Sequence, residues 1–240
     1  MTIAGAMLLT DSHLHLSDGI GSEVYGDFDS LESYVTCVAR VQEWGFSTDD
    51  PRATMSYGVH PWYCEEWNEE TAKRLEIILE SDPKAQVGEI GLDSKRGTVE
   101  SQIPSFEAQL SLASRMDRVA SVHDIGCEEK VLKSVRELGK SCRGIILHSY
   151  SSDSYVKPFV GEGCMLSINP RILARSEVRL NRLLKAIPLE NLLLETDSPH
   201  VPKGFSGMED FVTTISGYVG IEPEELARTV AGNLRRTLNG

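Results

Sequence analysis

Along this chain a short apolar run gives way to a loop holding a polar residue and then to a longer amphipathic stretch, and the pattern recurs from end to end. That order is the mark of βα units. It predicts strands over residues 7–9, 35–39, 54–59, 85–88, 119–122, 144–147, 164–168 and 192–194. Runs such as Ile145-Ile146-Leu147 and Leu192-Leu193-Leu194 are apolar without alternation, as suits strands covered on both faces of a parallel sheet. Eight such strands favour an α/β fold of the (β/α)8 TIM-barrel kind. Apolar residues at three-to-four spacing predict helices over 69–79, 100–115, 128–138, 176–187, 208–219 and 224–238. Ser176 before one stretch, Pro188 after it and Gly139 just past Leu138 agree with helix boundaries. Residues 34–38 are rich in β-formers, although 30–46 also reads as one helix; the strand reading is preferred.

The 240 residues contain no Pro/Gly/Ser-rich linker and no low-complexity tract, so one domain over 1–240 is the simplest organisation. With 40% apolar and 25% charged residues, disordered, fibrous and disulfide-stapled classes are excluded. Thirty-six acids against 24 bases leave a formal charge of −12, which counts against a broad electrostatic grip on duplex DNA. A small or single-stranded anion stays compatible, and carboxylates gathered around bound cations would add to the formal charge. Five scattered cysteines without CxxC spacing suggest neither a disulfide framework nor a thiolate zinc site, and a reducing compartment fits them best. Residues 1–10 carry no Lys or Arg, and no apolar run approaches membrane-spanning length. A soluble, cytoplasmic protein with no membrane association is expected.

Each of the six histidines lies at or near the end of a predicted strand, where βα loops build the active face of a barrel. His13 and His15, at i and i+2, point to the same side of an extended segment and can share one cation. Glu89, in Val87-Gly88-Glu89-Ile90-Gly91, ends an apolar strand; its two oxygens can bridge two cations, and Gly88 and Gly91 permit close backbone approach. His123 closes one strand, His148 closes the next, and Asp197 follows the last as a ligand or a proton acceptor. Four histidines, a glutamate and an aspartate at the ends of five strands point to a two-metal site. Such a pair of cations acidifies water, orients a phosphate or carbonyl and stabilises charge on attacking and leaving oxygens.

These blocks, with Gly58-Val59-His60-Pro61-Trp62, Phe106-Glu107-Ala108-Gln109-Leu110, His148-Ser149-Tyr150-Ser151, Glu195-Thr196-Asp197-Ser198-Pro199 and Ala231-Gly232-Asn233-Leu234-Arg235-Arg236, resemble the TatD family of metal-dependent hydrolases nearly end to end. The resemblance implies a TIM-barrel hydrolase of the deoxyribonuclease type with two divalent ions, Mg, Mn or Zn. It implies that His13 and His15 hold one metal, that His123 and His148 hold the other, and that Glu89 bridges them. It also implies that Asp197 binds the first metal and accepts a proton from the attacking water.

Three departures bear on substrate. Asp124 and Ile125 stand where the family commonly has an Arg two residues after the third histidine; Tyr150-Ser151-Ser152 replaces Phe-Ser-Gly, and His200-Val201 replaces Tyr-Leu. Residues 16–57 lack clear family landmarks, so the first two βα units are expected to be abbreviated or irregular. His60 is expected to contact substrate or to orient a metal ligand, and His200 to reach the substrate. Trp62 offers a surface on which a base can stack, core packing being the commoner use. Of Arg171, Arg175, Arg179, Arg182 and Lys185, the first two are expected in the loop at the active face and the rest on a solvated helical stripe, with Arg171 a candidate substrate contact. The expected activity is cleavage of DNA or a related phosphodiester. Hydrolysis of another ester or an amide on the same site is the enzymatic alternative, and an inactive barrel that binds a protein partner is the non-enzymatic one.

Overall fold

The structure, a computed structural model, describes residues 7–19 and 25–240. Eight strands run parallel and neighbour one another in chain order. They are β1 (Leu9–Leu14), β2 (Leu31–Val38), β3 (Ala53–Tyr57), β4 (Gln86–Asp93), β5 (Val119–Ile125), β6 (Gly144–Leu147), β7 (Met165–Ile168) and β8 (Leu192–Leu194). The helices α1 (Glu69–Ser81), α2 (Val99–Arg115), α3 (Glu128–Leu138), α4 (Val156–Gly161) and α5 (Glu177–Ala186) connect β3 through β8 in turn, and α6 (Met208–Val219) and α7 (Pro223–Asn239) follow β8. This is the expected (β/α)8 architecture.

The irregularity sits where the landmarks were missing. Among the described residues the β1–β2 connection carries only 3₁₀ turns at Leu16–Asp18 and Phe28–Ser30, and the β2–β3 connection only one at Val41–Glu43. Residues 31–38 form a strand, so the helical alternative over 30–46 is wrong. The six-residue α4, with Pro158 inside it, is too short to give a periodic signal. β1 and β4 run further than the apolar criterion predicts, because their C-terminal halves hold polar residues that are buried, Asp11-Ser12-His13 in β1 and Glu89 and Asp93 in β4. α5 starts behind Ser176 as expected, which leaves Arg171 and Arg175 outside it.

The continuous apolar runs resolve into two cores. Val35, Cys37, Val119, Ile146, Met165 and Leu193 pack together with Leu234 of α7, separate from the larger cluster that holds Leu192, Leu194, Ile145 and Leu147. Successive strand residues face opposite sides, so Ile146 and Leu193 fill the barrel while their neighbours meet the surrounding helices. Leu234 brings the terminal helix against the barrel filling, and Asn233 beside it donates to the carbonyls of Leu189 and Leu192 at 2.7 and 2.8 Å.

Between β8 and β1 the seam is made by the segment just past β8. Asp197 N–H donates to His13 O at 2.9 Å and His15 N–H to Ser198 O at 2.8 Å. Below them the buried Asp11 carboxylate accepts from Thr196 N–H (3.0 Å), Thr196 Oγ1 (2.6 Å) and Tyr25 OH (3.1 Å). Burial pushes the Asp11 carboxyl up to about 7 despite these donors. The seam therefore fixes His13, His15 and Asp197 relative to one another.

Candidate active site

His13 belongs to β1 and His15 follows it directly; Glu89 is in β4, His123 in β5, and His148 and Asp197 come just after β6 and β8. The structure brings all six together at the C-terminal mouth of the barrel. His13 Nε2 lies 3.5 Å and His15 Nε2 3.7 Å from Glu89 Oε2, with 3.2 Å between the two nitrogens. Asp197 Oδ1 joins them at 3.3 Å from His15 Nε2 and 3.9 Å from His13 Nε2. Around the other oxygen, Glu89 Oε1, stand His123 Nδ1 at 2.7 Å and His148 Nε2 at 2.8 Å.

Backbone proximity makes this convergence possible. A Cβ on Gly91 would lie 1.9 Å from the carbonyl oxygen of His123, so β4 and β5 approach more closely there than any side chain permits, and the φ of 146° also favours glycine. Asp197 itself adopts a left-handed φ of 59°, a conformation Asp tolerates better than most residues and one that turns the chain at the site.

Each cage histidine has its outer nitrogen beside a fixed hydrogen-bonding group. His15 Nδ1 donates to Cys37 O (3.1 Å), His148 Nδ1 to Glu195 Oε1 (3.1 Å) and His123 Nε2 to Asp93 Oδ2 (3.3 Å), while His13 Nδ1 meets Ser121 Oγ at 3.2 Å. Fixing the outer nitrogens as donors turns the inner lone pairs toward the cage. Imidazole nitrogens 3.2–3.4 Å apart repel unless a proton or cation lies between them. A buried donor set of imidazoles and carboxylates, arranged so, fits a divalent metal site.

Charge follows the same logic. Burial alone would push the Glu89 and Asp197 carboxyls up, but the surrounding imidazoles hold both far below the usual carboxylate range. His13 is lowered by burial and by the neighbouring His148. His15 is opposed by burial yet raised to about 9 by Asp197 and Glu89, and His148 is raised well above its ordinary value by Glu89 and Glu195. In the absence of cations, protons occupy part of this cage.

His60 sits deeper than a rim residue. It is 7% exposed, with Nε2 at 3.3 Å from Glu89 Oε1 and Nδ1 accepting from Trp62 N–H at 3.1 Å. That backbone donor places the ring hydrogen on Nε2, so His60 donates to the central carboxylate and orients it. Burial lowers its pKa, consistent with a neutral ring. Arg171 is braced by Ser149 Oγ (3.2 Å) and His200 O (3.0 Å) and pairs with Asp197 Oδ2, the oxygen turned away from His15. His200 lines the same cleft, more exposed, 3.4 Å from Asp18. Asp124 points elsewhere, accepting Cys127 N–H at 3.0 Å, while Ile125 lines the cleft.

Two glutamines away from the strand ends hold the loops in place. On α2, Gln109 pairs with both backbone groups of Val59 (2.7 and 3.1 Å), next to His60, and Gln102, two turns earlier, does the same for Asp93 (2.7 and 3.0 Å). Asp93, Glu195 and Ser121, which back His123, His148 and His13, are further site residues beyond those the sequence identifies.

The family model described as TatD related DNase matches residues 10–239. The chain belongs to the TatD family. A curated TatD relative from Erwinia billingiae, named a 3'-5' ssDNA/RNA exonuclease, is 29% identical over 75% of this chain and 75% of its own length. One from Mycobacterium tuberculosis, named an uncharacterized metal-dependent hydrolase TatD, is 27% identical over 87% of this chain and 82% of its own. The crystal structure of YJJV, a TatD homolog from Escherichia coli K12, superposes with a TM-score of 0.84 over 97% of this chain and 98% of that one, at 22% identity, and so shows the shared fold. This TatD-family chain is a metal-dependent hydrolase. No helix among the described residues is long and apolar enough to cross a membrane.

Proposed function

We propose that the protein hydrolyses phosphodiester bonds of single-stranded DNA or a related nucleotide chain, with two divalent ions, Mg, Mn or Zn, in the cage. His13, His15, Asp197 and Glu89 Oε2 would hold one ion, and His123, His148 and Glu89 Oε1 the other. The observation that carries this reading is the division of Glu89, whose two oxygens face separate imidazole pairs. Divalent ions bound there supply an acidified water and neutralise charge on the phosphoryl oxygens.

The chain's own residues do the rest. Asp197 Oδ1, on the cage side, takes the proton of the attacking water, while the Arg171 guanidinium on Oδ2 keeps the carboxylate ionised and aimed. Arg171 is 44% exposed along its side chain, so it can also reach a phosphate oxygen, and His200 stands beside it on the same lip. His60 restrains the bridging carboxylate. The cleft, about 650 Å³, has room for a nucleotide-sized ligand. The name of the Erwinia relative supports the same substrate class.

The test is hydrolysis of single-stranded oligonucleotides by chelator-treated protein after return of Mg, Mn or Zn, beside a lactone and an amide. Metal-dependent cleavage of the oligonucleotide alone supports the reading; turnover of the lactone or amide alone overturns it. Asp197→Asn is expected to lower kcat by at least about 100-fold, in the range of a general base.

A further inference from the structure

The wall of the cleft opposite Arg171 supplies no ligand atom to the cage, yet it is built for contact. Trp62 follows His60 and Pro61 on the 3₁₀ segment Pro61–Glu66, and the residue is 42% exposed although it lines the cleft. An indole left largely in solvent at an active site offers apolar surface for a ligand to cover in use. The ring is not loosely held. Its Nε1–H donates to Asp93 Oδ2 at 2.6 Å, and the Arg96 guanidinium stacks over it at 4.2 Å from the ring centroid. Beside it the Arg40 guanidinium lies 4.1 Å over the Tyr63 ring and is tied to Glu66 at 3.1 Å.

This wall therefore presents two flat arginine–aromatic stacks in a chain whose formal charge is −12. Planar cations layered on aromatic rings suit a nucleobase with its adjoining phosphate, because every base has a π-face and the guanidinium answers the phosphate charge. The wall is also correctly placed. Asp93, which anchors the indole, is 3.3 Å from His123 Nε2, and the His60 and Trp62 ring centroids are 4.9 Å apart. A base resting on Trp62 would belong to a nucleotide next to the bond being cut.

We propose that Trp62 and Arg96 form a stacking platform for the nucleobase adjoining the scissile phosphate, so that the enzyme prefers a phosphodiester carrying an unpaired base over the bare sugar–phosphate chain. The proposal rests on the phosphodiesterase reading above. It gives Trp62 a specificity role that does not involve holding metal.

The experiment compares a thymidine tetranucleotide with the same oligomer carrying tetrahydrofuran abasic residues. Dissociation constants are measured by calorimetry in EDTA, where cleavage is off, and KM in Mn. The base-bearing oligomer is expected to bind roughly ten-fold more tightly than the abasic one. Trp62→Ala is expected to bring that ratio close to one. Trp62→Phe, which keeps a ring and loses only the N–H to Asp93, is expected to retain most of it, separating stacking from support of Asp93. A ratio near one in the unaltered protein, or an undiminished ratio in Trp62→Ala, overturns the platform. If both oligomers are cleaved with equal KM, the platform fails and the phosphodiesterase reading stands. Absence of cleavage of either oligomer in any of the three metals overturns the phosphodiesterase reading and the platform with it.

Discussion

The two imidazole pairs of the cage are alike in chemistry and different in what stands behind them. His13 and His15, on and beside β1, rest against a serine hydroxyl and a backbone carbonyl. His123 and His148, at the ends of β5 and β6, rest against the carboxylates of Asp93 and Glu195. A carboxylate behind an imidazole makes its inner nitrogen more basic and a better donor to a cation, whereas a neutral acceptor mainly orients the ring. The β1 pair compensates with Asp197 on the cage side, which the β5/β6 pair lacks. Negative charge is thus supplied from inside one half, by one carboxylate, and from outside the other, by two. On the proposed two-ion reading, the β1 half would keep a carboxylate oxygen beside the reacting water, and the β5/β6 half would hold its ion through imidazoles backed by two carboxylates.

Breaking the comparison most severely calls for Gly91→Ala. A methyl 1.9 Å from the His123 carbonyl must push β5 away from β4, which would detach His123 from Glu89 and leave the β1 pair in register. A destabilisation of more than about 4 kcal/mol is expected in denaturant unfolding. Native-like stability would show that the β4–β5 approach is not required.

A sharper comparison comes from the supporting groups. Glu195→Gln and Asp93→Asn are each expected to weaken metal binding to the β5/β6 half by about 10- to 100-fold in calorimetric titration. Ser121→Ala, behind His13, is expected to change affinity only a few-fold because it removes a neutral partner. Equal losses from all three would erase the distinction between the halves.

The smallest effect is the pH dependence. In metal-free protein His15 is raised to about 9 from its ordinary 6.5, since Asp197 and Glu89 outweigh the burial that opposes them. A group whose pKa is higher folded than unfolded stabilises the fold fully below the unfolded value, and that stability disappears as pH rises through the folded one. Chelated protein is therefore expected to lose melting temperature between pH 6.5 and 9. Metal-loaded protein, in which cations replace those protons, is expected to hold or gain over the same interval. Parallel curves would contradict the assignment.

Much of this was legible in the linear chain because the ligands end apolar strands, where the change from Leu147 to His148 or from Leu194 to Asp197 is abrupt. β1 was harder to delimit, since Thr10, Asp11, Ser12 and His13 are polar and nonetheless buried, with Asp11 and Ser12 satisfied by partners on β7, β8 and the segment after it. Asp93 and Glu195 went unassigned for a related reason. Each lies near an obvious ligand and reads locally as another strand-end acid, and only the assembled barrel shows which imidazole it backs. Their spacing carried a weak signal, because Glu195 and Asp197 stand at i and i+2 and Asp93 four residues beyond Glu89. Gln109 lies in a block that carries the family resemblance, but its role, like that of Gln102, was not legible there, since the partners of both are backbone groups. His60 shows the reverse case: the motif around Pro61 was plain, but the depth of its ring depends on how far the 3₁₀ turn folds under the rim.

The central claim is that one carboxylate joins two unlike halves of a single cage. Anomalous diffraction from crystals grown with Mn tests it most directly. The account predicts two peaks about 3.5–4 Å apart, one touching His13, His15 and Asp197, the other His123 and His148, and both touching Glu89. A single peak at saturating metal, or a second peak that does not touch Glu89, would contradict it.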